Sequence, residues 1–408
     1  MINTTDTAFV LSSAALVMLM TPGLAFFYGG LVRRKNVLSI LMQCLTILCV
    51  ITLQWVLFGY SLAFAPFNGL IGGLQWLGLN GVGFEPNADY AGTIPHQVFM
   101  IYQAMFAIIT PGLIIGAFAE RMKFSAFLLF TLLWATFIYD PVAHWVWGVG
   151  GWLRVMGSLD FAGGSVVHIS SGISALVTAL YLGKRKNVEK GISPHNLPFS
   201  ILGAGLLWFG WFGFNAGSAL AVNNIAVNAF IVTHIAGALG GIAYMFMEWV
   251  NNKKPTALGT ITGMVAGLAT ITPAAGYVNI FASVCIGLSA GIVSYYMITI
   301  IKTKFAYDDS LDVFGVHGMC GILGMLMTGI FASKAVNSAG ANGLLAGNGS
   351  FLLIQIIAIL AITVFSLIGT YVILKIVDAL IGVRVSPAEE NMGLDLTQNQ
   401  ESAYTILV

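Results

Sequence analysis

Two short segments of this chain set a histidine in the same surroundings. Val167-His168-Ile169-Ser170-Ser171-Gly172-Ile173 and Val316-His317-Gly318-Met319-Cys320-Gly321-Ile322 both fit V-H-x-x-x-G-I. Each lies in a long apolar run, where ionisable side chains are costly to bury and mark substrate or proton pathways. One such histidine could simply be a neutral imidazole satisfied by a backbone carbonyl or a neighbouring ring. Two at matching positions favour a shared role. No buried Cys, Glu or Asp completes a metal ligand set around them. His234 has no counterpart and reads as a packed side chain.

Other side chains add to the pattern. Asp160 precedes His168 by about 12 Å of helix, and Asp312 precedes His317 by about 7–8 Å. Both histidines therefore sit well inside the hydrocarbon, and helix tilt must bring them together. Each aspartate stands at an expected helix start, where a carboxylate accepts the free N–H groups of the first turn. For Asp160 the alternative is electrostatic support of a cation entering from outside. Asp140 and Glu248 lie nearer helix ends. The aromatic stretch from Trp208 to Ser218 reads either as an interfacial belt or as a cation–π cup.

These residues need a scaffold, and composition names it. Of 408 residues, 58% are hydrophobic and 8% charged, against about 25% charged in soluble domains. So few charges cannot cover a water-soluble surface, and lipid must be the second solvent. The net charge of +1 argues against a nucleic-acid binder. Cys44, Cys49, Cys285 and Cys320 lie in apolar stretches with no zinc or disulfide spacing. The start, MINTTDTAF, lacks the basic region of a cleaved signal peptide. The 48 glycines suit closely packed membrane helices.

Apolar runs predict spans near 8–31, 38–64, 97–119, 125–148, 161–183, 197–216, 227–250, 258–275, 278–301, 312–332 and 351–380. Fifteen of the 17 basic residues, all but Arg154 and Lys334, follow the odd-numbered spans. The positive-inside rule then places the N-terminus outside and the C-terminus in the cytoplasm. Eleven spans satisfy both counts. The two histidine motifs fall in spans five and ten, which run in opposite directions. That predicts a five-plus-five inverted repeat with its substrate site near the midplane, and a final long helix outside the repeat. The outer loop, roughly 65–96, is rich in Gly, Asn and Pro and reads as either an ordered cap or a loose loop. Residues 1–384 form the membrane domain, and 385–408 a polar, acidic cytoplasmic tail.

Four stretches together resemble the ammonium transporter (Amt/Mep/Rh) family. They are Asp160-Phe-Ala-Gly-Gly-Ser-Val-Val-His168, Trp208 to Ser218, Asp312-Val-Phe-Gly-Val-His317-Gly, and Phe106-Ala-Ile-Ile-Thr-Pro with Gly116-Ala-Phe-Ala-Glu120-Arg121. The similarity runs from span one to the tail. It implies a homotrimer in the inner membrane with one pore per subunit. An enzyme has no nucleophile–base set or metal cluster to stand on, and no cofactor is expected. The resemblance implies an external ammonium site at Phe106, Trp147 and Ser218, shaped by Asp160. It implies a gate of Phe106 and Phe214 above a hydrogen-bonded pair, His168 and His317, with Asp312 as a supporting acid. The tail from Arg384 to Asp395 also matches, and its usual partner is a PII-type regulator. It departs at Asn399-Gln400, where the family reads His-Gly before an acidic residue.

The physical logic agrees with the residues. Burying a bare cation in apolar surroundings costs many kcal/mol. Ammonium can shed a proton and potassium cannot. An apolar pore with neutral imidazoles thus selects a deprotonatable ion, and the pair can relay the separated proton. The rival reading is an ammonium sensor, in which the same fold signals through the altered tail and a domain continuing beyond it.

Overall fold

A computed structural model describes residues 1–191 and 193–404. The side chain of Lys190, one of the basic residues counted above, and the last four residues of the tail lie outside that description. Among the described residues, ten helices are long and apolar enough to cross a membrane. They are α1 (Thr4–Leu31), α2 (Arg34–Phe64), α3 (His96–Phe118), α4 (Phe124–Met156, broken at 148–151), α5 (Gly164–Leu182), α6 (Leu197–Ala219), α7 (Asn224–Asn252), α9 (Ile280–Phe305), α10 (Phe314–Phe331) and α11 (Gly349–Ile381). Between α7 and α9 lies α8 (Ala257–Ile271), apolar but shorter. The predicted span at 258–275 is therefore cut back at its end. Pro273 lies at the break: it has no N–H to donate to the carbonyl four residues back, and 272–277 turn instead.

Helix is the structure that lipid demands, since it satisfies each backbone group within its own segment. Asparagines set many of the starts. Asn3, Asn196, Asn223, Asn279 and Asn348 each accept a backbone N–H from the first turn that follows.

The two halves meet along antiparallel pairs of helices. α1 packs on α6, and glycines let them touch. A Cβ added at Gly203 would lie 2.2 Å from the Phe27 nitrogen, and one at Gly30 would lie 2.3 Å from Ser200 Oγ. α5 packs on α10 in the same way. A Cβ at Gly172 would lie 2.1 Å from the Gly318 nitrogen, and one at Gly321 would lie 3.0 Å from His168 Cβ. The glycine of each V-H-x-x-x-G-I motif thus faces the histidine region of the other. Such reciprocity is what a two-fold relation between the halves requires. Two pairs of π turns follow it too, at Ala135–Tyr139 in α4 and Met297–Ile301 in α9, and at Gly164–Ile169 in α5 and Phe314–Gly318 in α10, while that at Trp55–Gly59 in α2 has no counterpart in α7.

α11 lies against α4, α5 and α10. Gln355 on α11 accepts from Ser158 Oγ (3.0 Å) and Leu159 N (3.0 Å), and donates to the Leu159 carbonyl (2.8 Å). The outer loop is an ordered cap. A short ribbon, β1 (Pro86–Asn87) and β2 (Ala91–Pro95), closes it, and Trp76 stacks on Tyr60, whose hydroxyl meets His96 at 2.6 Å. The tail is folded as well, into α12 (Pro387–Met392) and α13 (Leu394–Asn399). Leu394 N donates to Asn36 Oδ1 (2.8 Å) and Ser39 N to Asp395 Oδ1 (2.8 Å), which docks the tail on the start of α2.

Candidate functional site

From the end that carries the outer loop, a vestibule of about 560 Å³ leads inward past Gln103, Trp147, Ser218 and Phe106. Trp147 stands at the end of the main part of α4, and its indole donates to the Asp160 carbonyl (2.9 Å). Arg154 donates to the Trp147 carbonyl (2.6 Å). Phe106 from α3 meets Trp147 edge-on, with centroids 5.9 Å apart. Its other neighbour is Phe214 from α6, at 4.3 Å. Both phenylalanines are 1% exposed, so their rings close the vestibule from what lies below.

Behind the rings is a narrow void of about 10 Å³, lined by Leu24, Phe27, Trp211, Phe214, His168 and His317. That is the least volume that holds one water. The two imidazoles are nearly parallel, 19° apart, with Nδ1 facing Nδ1 at 3.2 Å. One nitrogen must carry the hydrogen and the other accept it, a contact that two neutral tautomers satisfy without a buried charge. His168 Nε2 is buried with no partner among the described residues. Trp211 holds the ring from one side, with centroids 5.6 Å apart. Past His317 a second cavity of about 250 Å³, lined by Tyr28, Tyr244, Asp312 and Val316, opens at the far end.

The local backbone explains why the histidines meet. Each sits in a π turn, where the wider coil swings the side chain off the regular helical stripe. The motif glycines then remove the side chains that would hold α5 and α10 apart.

Asp160 caps the first of these turns with both oxygens. Oδ1 accepts from Gly163 N (2.8 Å) and Gly164 N (2.7 Å). Oδ2 accepts from Ser165 N (2.7 Å), Ser165 Oγ (2.6 Å) and Val166 N (3.2 Å). Gly163 sits at φ 114°, a conformation that favours glycine. The carboxylate is thus saturated by its own loop, and its charge reaches the vestibule only as a field.

At α10 the cap is not Asp312. That residue pairs with Lys302 at 2.5 Å and sits at φ 62°. The equivalent of Asp160 is Asp309, whose Oδ2 accepts from Phe314 N at 2.7 Å. The signal lay in the sequence, because Asp309 precedes His317 by the same eight residues that separate Asp160 from His168. His234 lies exposed on α7, against Trp208 at 5.3 Å.

An ion cluster braces the far end. Glu120 binds Arg33 (2.9 Å) and Arg185 (3.1 Å), and Arg185 binds Asp308 (2.8 Å). Burial works against ionising Asp308, but Arg185 overrides it and holds the carboxyl at about 2. Arg384 joins the tail to this end through Glu390 (2.9 Å).

Residues 8–404 match the model of the Ammonium Transporter Family. An ammonium transporter of Bacillus subtilis is 55% identical over 399 residues, 98% of each chain. Ammonium transporter Amt1 of Archaeoglobus fulgidus is 47% identical, covering 98% of this chain and 99% of its own. The crystal structure of Saccharomyces cerevisiae Mep2 superposes with a TM-score of 0.89 at 35% identity, over 95% of this chain and 89% of Mep2. A structure titled Sensor Amt Protein superposes at 0.87 with 30% identity, over 97% and 98%. A multi-pass helical protein with this fold, matched along almost its whole length, belongs to the Ammonium Transporter Family.

Proposed function

We propose that this protein transports ammonium. The cation is held in the outer vestibule by Trp147, Phe106 and Ser218 and gives up a proton as it passes the Phe106–Phe214 gate; ammonia crosses along His168 and His317 while that pair relays the separated proton inward, so net charge moves. The observation that carries this reading is the sequence of environments: an aromatic vestibule, two rings in contact, then an apolar void whose polar groups are a neutral histidine pair. A bare potassium ion finds nothing there to replace its water, whereas ammonia needs only one or two hydrogen bonds.

Uptake of labelled methylammonium by cells expressing the chain tests the reading. Saturable uptake above the vector control supports it. Its absence would favour the sensor reading, which the likeness to the Sensor Amt Protein supports. The recruitment site has its own check. Removing a good cation–π face costs about 0.5–2 kcal/mol, so Trp147→Leu should raise the half-saturating ammonium concentration several-fold. An unchanged value would remove Trp147 from the site.

The charge asymmetry puts residue 2 outside and residue 404 in the cytoplasm of an inner membrane. A reporter fused after Tyr404 should be active only in its cytoplasmic form. The family resemblance adds a homotrimer, which native mass spectrometry in mild detergent would show as a trimer mass rather than a dimer. The docked tail, beside Lys35, Asn36 and Arg384, is the surface a PII-type regulator would read.

A further inference from the structure

Arg154 is one of two basic residues that do not follow an odd-numbered span, and it lines the outer vestibule. A fixed positive charge there opposes the ion that the vestibule holds. The short helix Trp152–Met156 carries it. Its guanidinium donates to the Trp147 carbonyl (2.6 Å) and the Asp89 carbonyl (3.4 Å), and lies 5.8 Å from the centre of the Tyr90 ring. Tyr90 is fixed in turn, stacked on Phe99 at 4.8 Å and accepting from Val149 N at 3.0 Å. The guanidinium is thus pinned between the end of α4 and the outer cap, and these partners are all neutral. Among the described residues, no carboxylate stands within ion-pair distance of it. Asp89 and Asp160 also line the vestibule. The Asp160 carboxylate is saturated by its own loop, and Asp89 meets Arg154 with its carbonyl.

We propose that Arg154 is a specificity-determining residue of the outer site. Its unpaired charge raises the ammonium concentration that fills the vestibule, and it turns away divalent cations. The reason is Coulombic. The charge stands on the carbonyl of Trp147, so it shares one cleft with a cation held against that indole. Low-dielectric walls keep such a field from spreading into water. At low salt, one unit charge at about 8–10 Å changes the occupancy of a monovalent cation about two- to fivefold. For a divalent cation the energy doubles and the factor squares, to about four- to twenty-fivefold. Ring faces attract cations of either charge, so the aromatic wall alone does not make this distinction. The inference rests on the ammonium reading for the identity of the cation.

The test compares wild type, Arg154→Gln and Arg154→Lys. It is read as half-saturation of ammonium-pulse currents in proteoliposomes, and independently as ammonium binding by isothermal titration in detergent. At low salt Arg154→Gln should lower the half-saturating concentration about two- to fivefold. The difference from wild type should close in about 1 M sodium chloride, where charges are screened within about 3 Å. Arg154→Lys keeps the charge and should fall closer to wild type than to Arg154→Gln. Magnesium chloride should inhibit the Arg154→Gln current at a concentration at least about fourfold below that needed for wild type. A raised half-saturation in Arg154→Gln would mean that the residue only holds the Trp147 carbonyl, and overturns the proposal. So does a shift that persists in high salt, or equal inhibition of both proteins by magnesium. Wild-type binding without current would defeat the transport reading, while the binding shifts would still decide on Arg154.

Discussion

Alanine at His168 should cut the ammonium current at least about tenfold, or leave a pore that also passes potassium. The imidazole supplies a hydrogen bond that nothing else in the void can replace, and a lost buried partner costs about 1–3 kcal/mol. The void is lined otherwise by apolar side chains such as Leu24, Phe27, Trp211 and Phe214 and by Met20, whose thioether is at most a weak acceptor for ammonia. His317 should then lose its Nδ1 partner, now at 3.2 Å, and turn freely. His317→Asp should behave differently. A fixed carboxylate stabilises any cation, so conduction should survive while selectivity is lost. The measurement is current on ammonium and potassium pulses for the two variants in proteoliposomes. Ammonium currents equal to wild type with potassium still excluded would make the pair structural.

The second large effect belongs to Asp160. Four backbone N–H groups and one hydroxyl converge on its carboxylate. Alanine leaves those donors at a buried helix start, each worth about 1–3 kcal/mol when unsatisfied. Relaxation recovers part of this, so a net destabilisation of about 2–4 kcal/mol is expected. The turn that carries His168 should loosen, and Trp147 should lose the fixed carbonyl it donates to. Asp160→Ala should therefore unfold at lower temperature in detergent and carry little ammonium current. Asp160→Asn keeps one acceptor oxygen and should fall between. Wild-type stability and current in the alanine variant would mean that the cap contributes nothing.

Several of these residues were legible before any coordinates. His168 and His317 stood out because polar groups are rare in apolar helices, and their shared motif predicted opposed halves. The contact between them came from the family resemblance alone and not from spacing, because it depends on π turns at Gly164–Ile169 and Phe314–Gly318. No residue pattern announces a π turn. Asp309 was missed although its spacing matches Asp160, because Asp312 lies closer to His317 and drew the capping role. Only the backbone shows that Asp312 turns away to Lys302. The end of α8 was misplaced because residues 272–278 remain apolar after the helix stops, so composition carried the span past Pro273. The order of the outer loop was hidden for a different reason. Its stability comes from partners distant in sequence, such as Tyr60 with His96.

The central claim is that ammonium crosses through an apolar pore that deprotonates it. Wild-type protein in proteoliposomes, given equal pulses of ammonium and potassium on a solid-supported membrane, tests this most directly. The account predicts a saturable current with ammonium and none with potassium. Equal currents for the two ions, or no ammonium response in vesicles shown to contain folded protein, would contradict it.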